Sequence, residues 1–386
     1  MDKGILAGIA QALQLTKAGR LGEATRMIQE SLKRDRQPDR FDGPAAQSGN
    51  PVDDIIEGQW SEVTPPTVAL STMETVQAER RPERPADDAR PRTAPPATRQ
   101  RSEWIAGDFE NAAGRRAYKL FIPSRYAGQS LPLLVMLHGC KQSPDDFAAG
   151  TQMNVRAEEH GCLVLYPAQS NSANPSCCWN WFRREDQVRE AGEPSIIADM
   201  TREVIRRYGA DPARVFVAGL SAGGAMAAVM GVTYPDLYAA VGIHSGLACG
   251  SAHDLPSALA AMKGLSVSMG QRGNASPPVH ATPTIVFHGD HDRTVHPRNG
   301  IDALASSAHW EGGQGGAVVT EQGQAPGGHA FTRTLHRDAA GQLLLEHWLV
   351  LGGGHTWFGG SRAGSYSDPR GPDASAEMVR FFLRRT

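Results

Sequence analysis

The chain has 386 residues, 39 of them lysine or arginine and 41 aspartate or glutamate, which gives a net charge of −2 at pH 7. This balance gives the protein as a whole no attraction to nucleic acid or anionic membrane. The composition, 40% hydrophobic and 21% charged, is that of a globular protein. No apolar run approaches the roughly 18 residues of a membrane-spanning helix, so no span is predicted.

Residues 1–34 carry apolar side chains at helical spacing in two runs. The first run contains Ile5, Ile9 and Leu13, and the second contains Leu21, Met27, Ile28 and Leu32. Gly19 between them is typical of a turn, so the segment predicts a helical hairpin. One hairpin buries little apolar area alone, so we expect it to dock on the main domain, a second copy or an apolar surface.

The start of the chain and the cysteine count bear on the compartment. The apolar stretch at residues 4–12 is short, is interrupted by Gln11 and is followed by no small-residue cleavage site. It is therefore interpreted as a helix of the mature chain rather than a signal peptide. Five cysteines, an odd number, fit a reducing compartment better than a disulfide framework. The expectation is a cytoplasmic protein.

Residues 35–101 are rich in proline, arginine and alanine, as in the stretch RRPERPADDARPRTAPPATRQR. They hold 10 of the 26 prolines and almost no periodic apolar pattern. This composition predicts a disordered, semi-extended linker, with arginine contacts to an acidic partner as the alternative.

From residue 102 to residue 386, short β-rich runs alternate with helical patterns. The strand candidates are RAYKLFIP, LPLLVMLHG, CLVLYP, RVFVAGL, AAVGIHSG, TPTIVFHG and LLEHWLVLG. Helices are predicted at residues 153–160 and 196–208, from residue 222, and in the closing run ASAEMVRFFLRR. The runs LLVML, VFVAG and TIVFH are mostly apolar, as expected for central parallel strands covered by helices on both faces. The pattern predicts an α/β domain with a mostly parallel, doubly wound sheet.

The run Gly219-Leu220-Ser221-Ala222-Gly223 matches the G-x-S-x-G pattern. A buried strand leads into it and a helix of small residues leads out, which is the context of a nucleophile in an α/β-hydrolase fold. Small neighbours are needed because the serine backbone is strained at such a turn. Ser221 is therefore predicted to be a nucleophile, with an ordinary strand-to-helix turn as the alternative.

A serine nucleophile needs a base that takes its proton and an acid that orients the base. In this fold these follow the serine in the order acid, then histidine. The run TPTIVFHGDHDRTVHP places Asp290 and Asp292 after a buried strand, and we favour Asp292 because it lies deeper in the loop. The base candidate is His355, which follows a strand and three glycines in LVLGGGHTWFGG. Each of these residues has a structural alternative, as a turn residue or as one histidine among 13.

Two backbone N–H groups are expected to form an oxyanion hole. One belongs to Ala222, and the other belongs to Cys140 in the loop after LPLLVMLHG, which His138 is expected to order by hydrogen bonding. A disulfide from Cys140 to Cys177 or Cys178 is an open alternative if the protein meets an oxidising space. His280, His288, His291 and His296 follow no metal-binding spacing, so no metal and no cofactor are predicted.

The motifs together resemble the polyhydroxybutyrate depolymerase family of serine esterases, which also contains acetyl xylan and feruloyl esterases. The resemblance covers residues 115–386 and rests on LLVMLHGCKQ, CWNWF, GLSAGGAMAAVM, HGDHDRTVHP, GHTW and GSYSDPRGPDASAEMVRFFL. It implies an α/β-hydrolase fold, triad roles for Ser221, Asp292 and His355, and oxyanion donors at Cys140 and Ala222. It also implies that Trp179 and Trp181 lie near the cleft as substrate contacts, although Trp179 has the alternative of a structural aromatic.

The expected function is a serine esterase that works through an acyl-enzyme on a 3-hydroxyalkanoate polyester or its oligomers. A feruloyl or acetyl ester of a carbohydrate is the alternative substrate. A peptidase of the same fold, and a granule-surface binding protein that docks through residues 1–34, are alternatives from other classes. Secreted members of the family make an extracellular location the alternative to the cytoplasm.

Overall fold

A computed structural model of the chain describes residues 101–265, 282–307, 316–326 and 328–384. The hairpin predicted at residues 1–34 and all but the last residue of the linker predicted at residues 35–101 lie outside this part of the chain. Within it, no helix has the length and apolarity needed to cross a membrane.

The described residues form a ten-stranded sheet and a separate pair of short strands. The strands of the large sheet are β1 Glu103–Asn111, β2 Gly114–Ile122, β3 Leu133–Leu137, β4 Leu163–Pro167, β5 Val215–Leu220, β6 Ala240–His244, β7 Thr284–Gly289, β8 Val318–Gln324, β9 Ala330–Arg337 and β10 Leu343–Val350. The short pair is β11 Trp357–Phe358 and β12 Ser367–Asp368. The helices are α1 Pro144–Thr151, α2 Met153–His160, α3 Gly192–Tyr208, α4 Ala222–Thr233, α5 Leu255–Met262, α6 Arg298–Ser307 and α7 Ala374–Leu383, and a 3-10 turn spans Arg184–Gln187.

The strand order is β1-β2-β4-β3-β5-β6-β7-β10-β9-β8. The middle of the sheet, from β4 to β10, is parallel, whereas β1, β2, β9 and β8 pair in antiparallel fashion at its two margins. Because β4 lies on one side of β3 and β5 on the other, the direction of winding changes at β3. Sites in open α/β sheets form outside the carboxyl ends of the strands at such a change.

The core consists of two layers, one on each face of the sheet. Every residue of β3, β4, β5, β6 and β7 is buried, as expected for strands that are covered on both sides. Apolar residues of α3 and α4 pack on one face, and those of α1, α2 and α7 pack on the other. The prediction of a mostly parallel, doubly wound sheet of the α/β-hydrolase type is confirmed.

Candidate active site

Ser221 occupies the sharp turn between β5 and α4. Its backbone adopts φ 57° and ψ −118°, and its N–H donates a hydrogen bond to the carbonyl of His244, 2.8 Å away. The turn requires glycines on both sides, because a Cβ on Gly223 would lie 2.0 Å from the carbonyl oxygen of Leu137, and one on Gly219 would lie 2.4 Å from Gly223. A strained serine between two obligatory glycines presents its hydroxyl at the sheet edge, as in a nucleophile elbow.

Asp292 lies in the loop after β7 and is fully buried at its side chain. Its Oδ1 accepts hydrogen bonds from the N–H groups of Thr294 and Val295, at 2.9 and 2.8 Å, and its Oδ2 accepts one from Nδ1 of His355, at 2.7 Å. Burial raises the pKa of the Asp292 carboxyl, but hydrogen bonds from His288, His355 and the backbone outweigh this effect and hold the pKa well below its ordinary value. The carboxylate is therefore ionised at neutral pH.

Asp290, the other acid of this loop, contacts the histidine-bearing loop in a different way. Its Oδ1 accepts a hydrogen bond from the N–H of Gly352 at 2.6 Å, and its own N–H donates to the carbonyl of Val350 at 3.1 Å. The structure thus brings Asp292 to the imidazole of His355 and Asp290 to the backbone that precedes it.

His355 follows β10 at the end of the glycine run. The N–H of His291 donates to the carbonyl of Gly353 at 3.0 Å, which joins this loop to the loop after β7. Since β5, β6, β7 and β10 are successive parallel neighbours, Ser221, Asp292 and His355 follow strands that end at one edge of the sheet. The imidazole is 14% exposed, so it borders on solvent while its partner carboxylate does not.

The loop after β3 carries the expected oxyanion donor Cys140. His138 is buried, and its Nδ1–H donates to the carbonyl of Gly139 at 2.8 Å while its Nε2 accepts from the N–H of Gln169 at 3.0 Å. Burial lowers the pKa of His138 to about 4, so the ring is neutral and orders the loop by hydrogen bonding. The N–H groups on either side of Cys140 donate to Gln142 Oε1, at 2.9 Å, and to the carbonyl of Ser176, at 2.8 Å.

Ala222, the second expected donor, is the first residue of α4, where an N–H has no partner within its helix. Leu137 at the end of β3 is paired with Gly219 near the end of β5. The loop of Cys140 and the turn of Ala222 therefore leave the sheet side by side, as the two halves of an oxyanion hole do.

Cys140 forms a disulfide with Cys178, 38 residues further along the chain. The thiol of Cys177 instead donates a hydrogen bond to Oδ1 of Asn171 at 2.9 Å. The structure thus selects Cys178 between the two candidates that the sequence left open.

Trp179 and Trp181 both lie in the core, 1% and 6% exposed. Nε1 of Trp179 donates to the carbonyl of His138 at 3.1 Å, and the ring of Trp181 packs edge-on against Phe182. So little of either ring is accessible that we assign neither to substrate binding. Trp179 is a structural aromatic that supports the Cys140 loop.

His244 contacts the segments that carry Ser221 and His355, and it was not among the residues predicted from the sequence. The N–H of Phe358 donates to its Nε2 at 3.1 Å, its carbonyl holds the N–H of Ser221, and its ring stacks on Trp357 at 4.9 Å. Burial and the neighbouring histidines hold its pKa well below the ordinary value, so the ring is neutral. The available signal was its position at the end of a buried central strand, in AVGIHSG.

The histidines near Asp292 do not form a metal site in the described residues, among which no group of three or more metal-ligating side chains occurs. His288 is buried, and its Nε2 lies 2.9 Å from the carbonyl of Val295 and 3.5 Å from Asp292 Oδ2. It is therefore part of the support of the carboxylate. His280 lies outside the described residues.

Comparison with known proteins places this geometry in a family. The sequence profile described as esterase PHB depolymerase matches residues 116–313. The chain is 32% identical over 231 residues to poly(3-hydroxyalkanoate) depolymerase C of Paucimonas lemoignei, covering 58% of this chain and 54% of that protein. It is 31% identical over 197 residues to feruloyl esterase B of Neurospora crassa, covering 48% and 66%.

The chain thus spans roughly half to two thirds of the length of these relatives. Among solved structures, the acetyl xylan esterase from Aspergillus awamori superimposes with a TM-score of 0.51 at 19% identity, covering 73% of this chain and 98% of that one. This likeness shows the shared α/β-hydrolase fold. By its profile match and its relatives, the chain belongs to the esterase PHB depolymerase family.

Proposed function

We propose that this protein is a serine esterase in which Ser221 is the nucleophile, His355 the base and Asp292 the acid. The observation that carries the proposal is the 2.7 Å contact between the buried Asp292 carboxylate and His355 Nδ1. It occurs at the sheet edge where Ser221 occupies a strained turn after β5. These three residue types in this chain order are those of acyl transfer by an α/β hydrolase.

The contact with Asp292 supports a different role for each of the two imidazole nitrogens. Because Nδ1 of His355 donates to the carboxylate, Nε2 carries the lone pair that accepts the Ser221 proton as the hydroxyl attacks an ester carbonyl. The N–H groups of Cys140 and Ala222 stabilise the oxyanion that develops, and the imidazolium then protonates the leaving alcohol. Water then attacks the acyl-enzyme through the same steps, which releases the carboxylic acid and restores the Ser221 hydroxyl. No cofactor takes part in the proposed reaction.

The first proposed substrate is a 3-hydroxyalkanoate polyester or its oligomers, which the depolymerase from Paucimonas lemoignei supports by its name and its 32% identity. A feruloyl or acetyl ester of a carbohydrate is the second candidate, which the feruloyl esterase at 31% identity supports almost equally. The catalytic steps are the same for both classes, so substrate tests distinguish them.

The compartment is proposed from the disulfide between Cys140 and Cys178. Disulfides persist in oxidising spaces and are rare in a reducing cytoplasm. The bridge therefore favours the extracellular alternative over the cytoplasmic expectation that the odd cysteine count had given.

Binding to a granule surface through residues 1–34 stays a prediction, because this segment lies outside the described residues. Its support is the helical spacing of its apolar side chains. Sedimentation of the full chain and of a variant without residues 1–100 with polyester granules tests it, and a variant that still cosediments fully would exclude the segment.

The function is tested by release of 3-hydroxybutyrate from amorphous poly(3-hydroxybutyrate) granules, with Ser221→Ala as the blank. p-Nitrophenyl butyrate, methyl ferulate, acetylated xylan and a peptide panel run in parallel. Release of 3-hydroxybutyrate from granules by the wild type but not by Ser221→Ala supports the polyester substrate. Cleavage of methyl ferulate or acetylated xylan without release from granules supports the carbohydrate esters. Hydrolysis of peptides but of no ester, or full activity of the Ser221→Ala variant, would contradict the proposal.

A further inference from the structure

A cluster of four buried polar side chains lies behind the Cys140 loop. We call it the Glu193 cluster, and it consists of Arg116, Gln169, Asn180 and Glu193, which are 8%, 6%, 2% and 4% exposed. Charged side chains are rarely buried to this extent unless their partners compensate the loss of water. The hydrogen bonds of the cluster therefore show which segments of the chain it connects.

The carboxylate of Glu193 is surrounded by hydrogen-bond donors. Its Oε2 accepts from the backbone N–H of Asn180 at 2.7 Å, and its Oε1 accepts from the side-chain amide of the same residue at 2.8 Å. The amide of Gln169 and the guanidinium of Arg116, the latter at 3.2 Å, also donate to Oε1. Glu193 lies in the first turn of α3, where the helix dipole favours negative charge.

Two of the three residues bonded to the Glu193 carboxylate, Gln169 and Asn180, belong to the segment that supports the Cys140 loop. The N–H of Gln169 donates to Nε2 of His138 at 3.0 Å, and its side-chain amide also donates to the carbonyl of Cys178 at 2.9 Å. Cys178 is bonded to Cys140, and the next residue, Trp179, donates to the carbonyl of His138 at 3.1 Å. Residues 169–180 thus hold residues 138–140 at three points.

We propose that Glu193 is a positioning residue for the oxyanion hole, which fixes the N–H of Cys140 through Gln169 and Asn180. The inference rests on the proposed function, because it requires the Cys140 N–H to bind the developing oxyanion. Every hydrogen bond of the carboxylate comes from a donor, so an amide at this position turns an NH₂ group towards a donor. Residues 169–180 then shift, and the Cys140 loop that they hold shifts with them.

The kinetic consequence separates this role from a general structural one. An oxyanion contact is strong in the transition state and weak in the ground state, so its loss lowers kcat and leaves KM nearly unchanged. Removal of a whole oxyanion donor costs about 10²–10³-fold in kcat. A displaced donor should cost less, and we expect about 10- to 100-fold for Glu193→Gln.

The matched control is Thr201→Val, on the same helix. Thr201 is fully buried, and its hydroxyl donates to the carbonyl of Ile197 at 2.7 Å and lies 3.0 Å from the hydroxyl of Tyr238, in contact with neither loop of the site. This variant loses buried hydrogen bonds of α3 without touching the Glu193 cluster. Its kcat is expected to stay within about threefold of the wild type, since its losses affect stability.

The experiment measures kcat and KM on p-nitrophenyl butyrate for the wild type, Ser221→Ala, Glu193→Gln, Glu193→Asp and Thr201→Val, with thermal unfolding of each. A trifluoromethyl ketone, whose adduct carries an oxyanion, serves as the second readout. Glu193→Gln should lose affinity for the ketone by the same factor as kcat, and Glu193→Asp, which keeps four acceptor sites on a shorter arm, should lie between it and the wild type. If Glu193→Gln fails to fold, the loss of kcat and of ketone affinity is compared between Glu193→Asp and Thr201→Val instead.

Three results would overturn the inference while leaving the proposed function intact. The first is a wild-type kcat in a folded Glu193→Gln protein, and the second is an equal loss of kcat in Thr201→Val. The third is a loss in Glu193→Gln in which KM changes as much as kcat while the affinity for the ketone does not change. Failure of the proposed function has a separate signature, which is ester hydrolysis that survives in Ser221→Ala.

Discussion

Oδ2 of Asp292 and Nδ1 of His355 lie 2.7 Å apart, although 63 residues separate them in the chain. The carboxylate keeps its charge because backbone and imidazole donors lower its pKa despite its burial. An ionised acceptor at Nδ1 fixes the tautomer in which Nε2 is the basic nitrogen. The pair of acids, Asp290 and Asp292, provides an internal comparison for this relationship.

Replacement of Asp292 by asparagine should lower kcat by about 10³- to 10⁴-fold, because an amide at this position favours the wrong imidazole tautomer. Asp290→Asn replaces the charged acceptor of the Gly352 N–H by a neutral one. It should lower kcat less than about tenfold, because Asp290 contacts the loop backbone and not the imidazole. Steady-state hydrolysis of p-nitrophenyl butyrate measures both. An equal loss in the two variants would contradict the distinction drawn between the two acids.

Loss of the disulfide should weaken catalysis as well as stability. Cys178→Ser removes one of the three attachments of residues 138–140 to residues 169–180, so we expect kcat to fall about tenfold, well short of the loss of a whole oxyanion donor. It should also lower the free energy of unfolding by about 2–4 kcal/mol, the usual contribution of a native bridge. Cys177→Ser is the control, since its thiol lies outside the bridge. The two variants are compared by kcat and by urea unfolding, and a fall in stability without any fall in kcat would restrict the bridge to a structural role.

Replacement of His244 by phenylalanine separates positioning from stability. The variant leaves the Phe358 N–H without its acceptor, but it also removes Nδ1 of His244, a buried nitrogen for which the structure gives no partner. Each unsatisfied group costs about 1–3 kcal/mol, so the two effects nearly cancel in the free energy of unfolding. The segment after His355 nevertheless loses its attachment to β6, and kcat should fall about tenfold or more.

The control for this variant is His347→Phe on β10. This ring also has a buried nitrogen, Nε2, without a partner, and burial lowers its pKa to about 4. Its kcat should stay near the wild-type value, as measured on the same ester with thermal unfolding alongside. Equal kcat in the His244→Phe and wild-type proteins would remove His244 from the positioning of the site.

The central strands and the triad candidates could be predicted because each signal is local. A run such as LLVML is apolar throughout because helices cover both of its faces, and the residues that follow it in sequence reach the sheet edge. Ser221 is recognisable because its turn admits only small neighbours. The nucleophile and the glycines that its turn requires therefore lie within five consecutive residues.

The rest of the fold depends on contacts that no short window records. Strand β8 is exposed at nearly every position, and its pairing with β9 at the margin of the sheet leaves no apolar alternation to read. The role of Glu193 arises from partners 13, 24 and 77 residues away. The hydrogen bond that Trp179 donates likewise goes to the carbonyl of His138, 41 residues away, which the sequence around Trp179 does not indicate.

Asp186 gives a prediction for the dependence of stability on pH. It is buried, and burial, together with the charges of Glu193 and Glu185, raises its pKa to about 6 although the N–H of Glu193 donates to it at 2.7 Å. The folded protein therefore holds this proton more tightly than the unfolded chain, whose aspartate titrates near 3.8. The free energy of unfolding should fall as pH rises between these two values and stay lower above pH 6.

Asp186→Asn keeps the acceptor oxygen and cannot ionise, so it should raise the unfolding midpoint by a few degrees at pH 8, with a gain that shrinks towards pH 4. Calorimetry across this range measures the effect, with Glu110→Gln on β1 as the exposed control. A gain that is the same at both ends would mean that the charge of Asp186 is not its source.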